Sequence, residues 1–140
     1  MADLRAIREG LAANLATISD VQVLAYGKSN PTPPTLMITP DDPVVDFDWS
    51  GSRGADEYHL LVDAAVAFAS DQGAQHRLDA FLAGSGPYSV KQAAEADKTL
   101  GGVAENLHVL QARAYNTYVS EGRGPVLACR FSVLVIAEGT

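Results

Sequence analysis

A glycine pair stands in the segment DKTLGGVAENL, which spans residues 97–107. Glycine-rich loops can cradle phosphate, but a Walker A loop places its lysine directly after the last glycine, and a dinucleotide fingerprint needs three spaced glycines after a strand. Here the lysine comes first, and a short predicted helix precedes the pair. We therefore expect Gly101 and Gly102 to form a structural turn that uses positive φ between a helix and a strand.

His59 and Asp63 share one face of their segment, whether that segment is a strand or a helix. They could act as a general base with its orienting carboxylate, or as two metal ligands. The sequence offers no third ligand or nucleophile at a diagnostic spacing, and a solvated strand face is the alternative interpretation. We predict that the chain is not an enzyme, and we assign it no catalytic residue, cofactor or metal ligand.

The segment from Asp41 to Glu57, DDPVVDFDWSGSRGADE, holds six carboxylates and the only tryptophan of the chain. Its acids suggest a cation-binding cluster but lack the order of an EF-hand loop. We interpret residues 41–57 as a long acidic loop between strands, in which a lone aromatic side chain can anchor a partner. The candidate interface residues are Trp49 as the anchor, Arg53 as an ion-pair partner, and Asp46 and Asp48.

The first third of the chain predicts one helix and two strands. Asp3 can cap a helix whose apolar residues recur at helical spacing. Val21–Tyr26 and Thr35–Thr39 are rich in β-formers, a proline-rich loop separates them, and Pro40 closes the second. The apolar stripe of the helix consists of Leu4, Ile7, Leu11, Leu15 and Ile18.

Glu57–Ala69 fits both the helical and the strand period. We favour a strand, because alternation places every polar residue of the segment on one face. A second helix then begins at Asp71 and ends before Gly84. Ser89–Gln92 has capping-box spacing and opens a short helix that extends to Ala96. The inner stripe of the second helix consists of Ala74, Leu78, Phe81 and Leu82.

The last third predicts a β-hairpin with arms Leu107–Val119 and Val126–Ala137, joined by the turn EGRGP. Cys129, the only cysteine, shares the apolar face of the second arm, so we expect a buried structural thiol. Neither the strands nor the helices can bury their apolar faces alone, so we expect the two layers to pack against each other. The prediction is a single α+β domain over residues 1–140, with a mixed, mostly antiparallel sheet packed against two amphipathic helices.

Composition supports this class: the chain has 140 residues, of which 47% are apolar and 19% charged. The net charge of −7 argues against a protein that grips duplex DNA through Lys and Arg. The charged N-terminal stretch MADLRAIREG does not resemble a signal peptide, and no apolar run approaches the ~20 residues that cross a bilayer. We expect a soluble protein, made in the cytoplasm, with no membrane partner.

Three strings carry a family resemblance: SDQGAQHRLDAFLAGSG, SVKQAAEAD and TLGGVAENLHV. With the order of the predicted elements, they resemble the tail terminator proteins of long-tailed bacteriophages, especially those that infect actinobacteria. The resemblance covers nearly the whole chain. It implies a compact α+β subunit of a hexameric ring that caps the head-proximal end of the tail tube, ends tube growth and offers a surface to the neck.

On this resemblance the partners are other copies of the chain, the tail tube protein and a neck or head-completion protein, and the expected location is the virion tail. The genome would pass through the lumen without sequence-specific binding. One alternative is another neck or head-completion adaptor. Alternatives of a different class are a small metal-binding or hydrolytic domain that uses His59, Asp63 and the acidic loop, and a host-side ligand-binding module.

Overall fold

The computed structural model describes residues 3–19, 21–26, 34–47, 55–67, 71–120 and 124–138. They form one α+β domain, as the sequence predicts, in which helices pack against a five-stranded sheet. In chain order, the elements are α1 (Leu4–Leu15), β1 (Gln22–Leu24), β2 (Thr35–Asp46), β3 (Ala55–Ala67), α2 (Asp71–Leu82), α3 (Val90–Ala94), a 3-10 turn (Leu100–Gly102), β4 (Asn106–Ser120) and β5 (Gly124–Glu138).

The sheet has the strand order β1-β2-β3-β5-β4. β1 and β2 run parallel, whereas the other neighbouring pairs are antiparallel. β4 and β5 form the predicted C-terminal hairpin, and β5 also pairs with β3 along the whole of β3. The mixed, mostly antiparallel sheet is therefore confirmed, and the C-terminal strand β5 lies between β3 and β4.

The described helices pack on one face of the sheet and form the core with it. In β3, Leu60, Val62 and Ala64 face the helices, whereas His59 and Asp63 face the other way, which confirms the strand prediction. The buried stripes confirm both amphipathic helices: Ile7, Leu11 and Leu15 from α1, and Ala74, Leu78 and Phe81 from α2. Cys129, Phe131, Val133 and Val135 complete this core from β5.

Side chains cap two helices where the sequence predicts it. Asp3 Oδ1 accepts a hydrogen bond from the Ala6 N–H at 2.7 Å, at the start of α1. Ser89 Oγ accepts from the Gln92 N–H at 3.1 Å and donates to the Ala83 carbonyl at 2.6 Å. α3 ends at Ala94, earlier than the predicted Ala96.

The predicted loop over residues 41–57 is wrong at both ends. β2 does not close at Pro40 but continues to Asp46, and β3 already begins at Ala55. The ladder between β2 and β3 breaks its register between Pro40 and Val45. A proline has no N–H for a ladder, and a register break accommodates that loss without ending the strand. β1 is also shorter than the predicted Val21–Tyr26.

Candidate functional site on the open face of the sheet

None of the described helices covers the second face of the sheet, which we call the open face. Alternate residues of β2, β3, β5 and β4 point to it, and most of them are half-buried or exposed. Leu134 and Ile136 of β5 add apolar surface between polar neighbours. An antiparallel sheet commonly leaves such a face to solvent or to a partner. The clustered titratable side chains, which could bind a ligand or transfer a proton, lie on this face.

Three of them form a compact cluster: Asp46, Glu57 and His59. His59 Nε2 lies 2.9 Å from Asp46 Oδ2 and 3.7 Å from Glu57 Oε1. One ligand atom from each residue lies within 4.8 Å of the other two. All three side chains are half-buried, so the cluster is open to solvent. An imidazole flanked by two carboxylates can hold a proton or a cation.

The register break in β2 explains how this cluster forms. Asp46 and Glu57 are cross-strand partners, and His59 follows two residues later on the same face of β3. Pro40 pairs with Leu60, and Val45 pairs with Tyr58. The register shift in β2 therefore lies opposite His59, which stands between Tyr58 and Leu60. A break of this kind bends the strand and redirects its side chains, which allows the Asp46 carboxylate to reach the imidazole.

His59 and Asp63 do not act together, contrary to the sequence-based hypothesis. Four residues along a strand span about 13 Å, so a shared face does not bring the two side chains into contact. Asp63 instead pairs with Arg130 of β5, with Nε 2.7 Å from Oδ1 and Nη2 3.4 Å from Oδ2. Thr39 Oγ1 lies 3.5 Å from the same carboxylate. The partner of His59 from the acidic segment is Asp46.

Of the predicted interface residues, the structure describes only Asp46. Trp49, Arg53 and Asp48 lie outside the described residues. Phe47, which directly follows β2, is 72% exposed and was not singled out from the sequence. Glu57 was also missed as a member of the cluster, although its spacing of two from His59 in an alternating strand was the available signal.

β4 forms an edge of the described sheet, because β5 pairs with one side of it and no described strand pairs with the other. Two register shifts interrupt it, between Val109 and Gln111 and between Arg113 and Asn116. Leu110, at the first shift, is 58% exposed. Tyr115, at the second, donates a hydrogen bond to Asp79 Oδ1 at 2.9 Å. The edge therefore combines a side without a described strand partner, where Glu95 accepts a hydrogen bond from the Val109 N–H, with exposed apolar side chains.

The glycine pair is a structural turn, as predicted. Gly101 and Gly102 have φ angles of 73° and 100° between α3 and β4. Asp97 accepts hydrogen bonds from the Thr99 hydroxyl at 2.7 Å and from the Thr99 and Gly101 N–H groups at 3.1 and 3.0 Å. These bonds hold the pKa of Asp97 below its usual value. A carboxylate thus occupies the donors that a phosphate would need.

Cys129 is a buried thiol, also as predicted, with 3% of its surface exposed and no disulfide. Burial, reinforced by the nearby negative charge of Asp63, raises its pKa to about 12. A thiol in that environment stays protonated at neutral pH, and only the thiolate is a strong nucleophile. Cys129 therefore has a packing role in the core and is not a reactive thiol.

No protein-family model matches this chain, and no curated protein matches it in sequence. Among the described residues, no helix is long and apolar enough to cross a membrane. The open face and the edge strand β4 are the features of the structure that bear on function.

Proposed function

We propose that the chain is a structural subunit of a long-tailed bacteriophage that forms a ring, expected to be hexameric, at the head-proximal end of the tail tube. The ring ends tube polymerisation, provides the surface for head–tail joining and turns over no substrate. The observation that supports this proposal most is the sheet, whose described helices all pack on one face. Such a subunit has one stable core and a second face and edge available for assembly.

The open face has the mixed character of a surface that meets other proteins. Leu134 and Ile136 are half-buried, and the ion pair between Asp63 and Arg130 lies farther along the same face. Protein–protein interfaces combine an apolar centre with a polar rim. This composition suits contact with a neighbouring subunit or with the tube better than it suits a deep binding pocket.

The edge strand β4 supports side-by-side assembly. Unpaired backbone groups along a sheet edge can pair with another chain, and identical subunits that meet in the same way close into a ring when the rotation allows it. A ring that matches the tube on one face and differs on the other binds the last ring of the tube. Its outer face does not offer the surface to which a further tube ring would bind. Polymerisation then ends for a geometric reason, without chemistry.

The charge of the chain is compatible with a lumen through which DNA passes. Its net charge of −7 repels phosphate, whereas affinity for duplex DNA needs Lys and Arg to neutralise the backbone. The genome would therefore move past the ring without being retained.

The test is tail assembly without the protein. We expect tails of irregular and excessive length that fail to join heads, and we expect the purified protein to restore both length and joining. Tails of normal length that fail to join heads would contradict the terminator function and favour the neck adaptor. Normal length together with normal joining would contradict both.

Two matched variants test the role of the open face in the same assay. Leu134→Arg places a charge in the half-buried part of the open face, whereas Gln75→Arg places it on an exposed position of α2, on the helical side. We expect Leu134→Arg to lose activity in length control and Gln75→Arg to keep it. Equal activity of the two variants would exclude the open face as an assembly surface.

A further inference from the structure

The cluster of Asp46, Glu57 and His59 lies on two directly paired strands, and this gives it a defined shape. The hydrogen-bonded ladder of β2 and β3 resumes at Val45–Tyr58 and Asp46–Glu57 after the register break. The two carboxylates are therefore held opposite each other, with the imidazole beside them on the same face. Ligands on strands are positioned more accurately than ligands on loops.

Two distances within the cluster lie close to those between ligands of a single small cation. Zn²⁺ binds imidazole nitrogen and carboxylate oxygen at about 2.0–2.2 Å, so neighbouring ligand atoms of a tetrahedral site lie about 3.3 Å apart. In this cluster the two distances from His59 Nε2 are 2.9 Å, to Asp46, and 3.7 Å, to Glu57. They lie on either side of the tetrahedral value, and the ligand atoms of Asp46 and Glu57 lie within 4.8 Å of each other.

The charges and donor types also favour a cation. Within the described part of the chain, the ion-pair contacts of both carboxylates are with His59 alone. The nearest pair on the same face, Asp63 with Arg130, is already neutralised within itself. With a neutral imidazole the cluster carries two negative charges and presents one nitrogen and two oxygen donors.

We propose that Asp46, Glu57 and His59 form a binding site for one divalent transition metal ion of the Zn²⁺ type. The imidazole selects this class, because Ca²⁺ and Mg²⁺ prefer sites built from oxygen alone, whereas Zn²⁺, Co²⁺ and Ni²⁺ accept imidazole readily. Three protein ligands leave a further position for water or for a group of another molecule. The site is independent of a role in tail length, and either conclusion can fail without the other.

The first experiment uses the unmodified protein. After removal of metal with a chelator, Zn²⁺ is titrated while the imidazole resonances of His59, His76 and His108 are followed by NMR. We expect the His59 signals to shift until one equivalent has bound, and those of the other two histidines to stay in place. Unchanged His59 signals at millimolar Zn²⁺, or an equal response of all three histidines, would overturn the proposal.

The second experiment uses Co²⁺ as a spectroscopic probe of coordination. We expect visible absorption bands of a four- or five-coordinate complex in the wild type and in His76→Gln, which removes an exposed histidine of α2. His59→Gln should weaken Co²⁺ binding by at least about tenfold, since even groups that only support a metal ligand contribute about 10–100-fold. Equal Co²⁺ affinity of His59→Gln and the wild type would overturn the proposal.

Discussion

Gly10 of α1 packs against the 3-10 turn, and replacing it by alanine tests that contact. A Cβ atom at position 10 would lie 2.9 Å from Leu100 Cβ and 3.3 Å from the Leu100 carbonyl oxygen. Leu100 is 4% exposed and has a φ of 51° in the turn. Because the closest atom is a Cβ, no rotamer change can move it away, and the backbone of α1 or of the turn has to shift.

Two opposing effects set the magnitude. Alanine in a helix is more stable than glycine by about 0.5–1 kcal/mol, whereas overpacking of a close contact costs about 1–3 kcal/mol. Since the contact involves atoms fixed to the backbone, we expect the second effect to dominate. Gly10→Ala should lower the free energy of unfolding by about 1–2 kcal/mol, measured by urea denaturation followed by circular dichroism.

Gly84→Ala is the matched control, because among the described residues no atom beyond its two chain neighbours lies within 4 Å of a Cβ at that position. Relief of the clash can be tested in a double-mutant cycle with Leu100→Gly, which removes the opposing Cβ. In that background Gly10→Ala should cost less by about 1 kcal/mol or more. A stabilising effect of Gly10→Ala in the wild-type background would refute the described contact between α1 and the turn.

Three further predictions concern single side chains. Ser89→Ala should lower the free energy of unfolding by about 1–2 kcal/mol, because it removes the cap of α3 and leaves the Ala83 carbonyl without the serine hydroxyl. Cys129 should react slowly with a thiol reagent at pH 8 in the native protein and rapidly in urea, because its pKa is about 12. Glu95→Gln should destabilise the protein at pH 7, with a difference that shrinks in acid. Burial opposes ionisation of Glu95, but hydrogen bonds from Lys91 and the Val109 N–H outweigh it and lower the pKa.

The sign of the Glu95 effect follows from linkage. A carboxylate with a lowered pKa in the folded state stabilises that state above its unfolded pKa, about 4.3, and this contribution disappears as the pH falls through the folded value. Urea midpoints measured from pH 7 down to pH 3 should therefore converge for the wild type and Glu95→Gln. A constant difference would contradict this. Ser85→Ala, at an exposed position, is the control for Ser89→Ala, and equal effects of the two would rule out the capping role.

The periodic features of this fold were predictable from local sequence. Alternation over β3, the hairpin of β4 and β5, and the stripes of α1 and α2 each require only one segment and its period. The caps at Asp3 and Ser89 were predictable for the same reason, since the capping residue lies within three positions of its partner. The turn at Gly101 and Gly102 follows from the permissive φ of glycine.

The features that sequence reasoning missed depend on register between distant segments. Pro40 suggested the end of a strand, but the register break that tolerates it is a property of the pair β2–β3. The contact between His59 and Asp46 depends on that same break. Asp63 meets Arg130 across 67 positions of the chain, and no period in the sequence indicates which strand lies beside β3. The candidate site was therefore predictable as a set of residue types but not as a cluster.

The position of β5 has a consequence for how the chain acquires its structure. β5 is the last strand in the sequence, yet it lies between β3 and β4, and its contacts with β3 join residues separated by about half of the chain. During synthesis, β3 has no neighbour on that side until the C-terminal residues have left the ribosome. Pairing between such distant segments is slow, because the loop must close before any contact is gained. The folding of this chain is therefore governed by β5, and a chain that stops before β5 lacks the strand that joins β3 to β4.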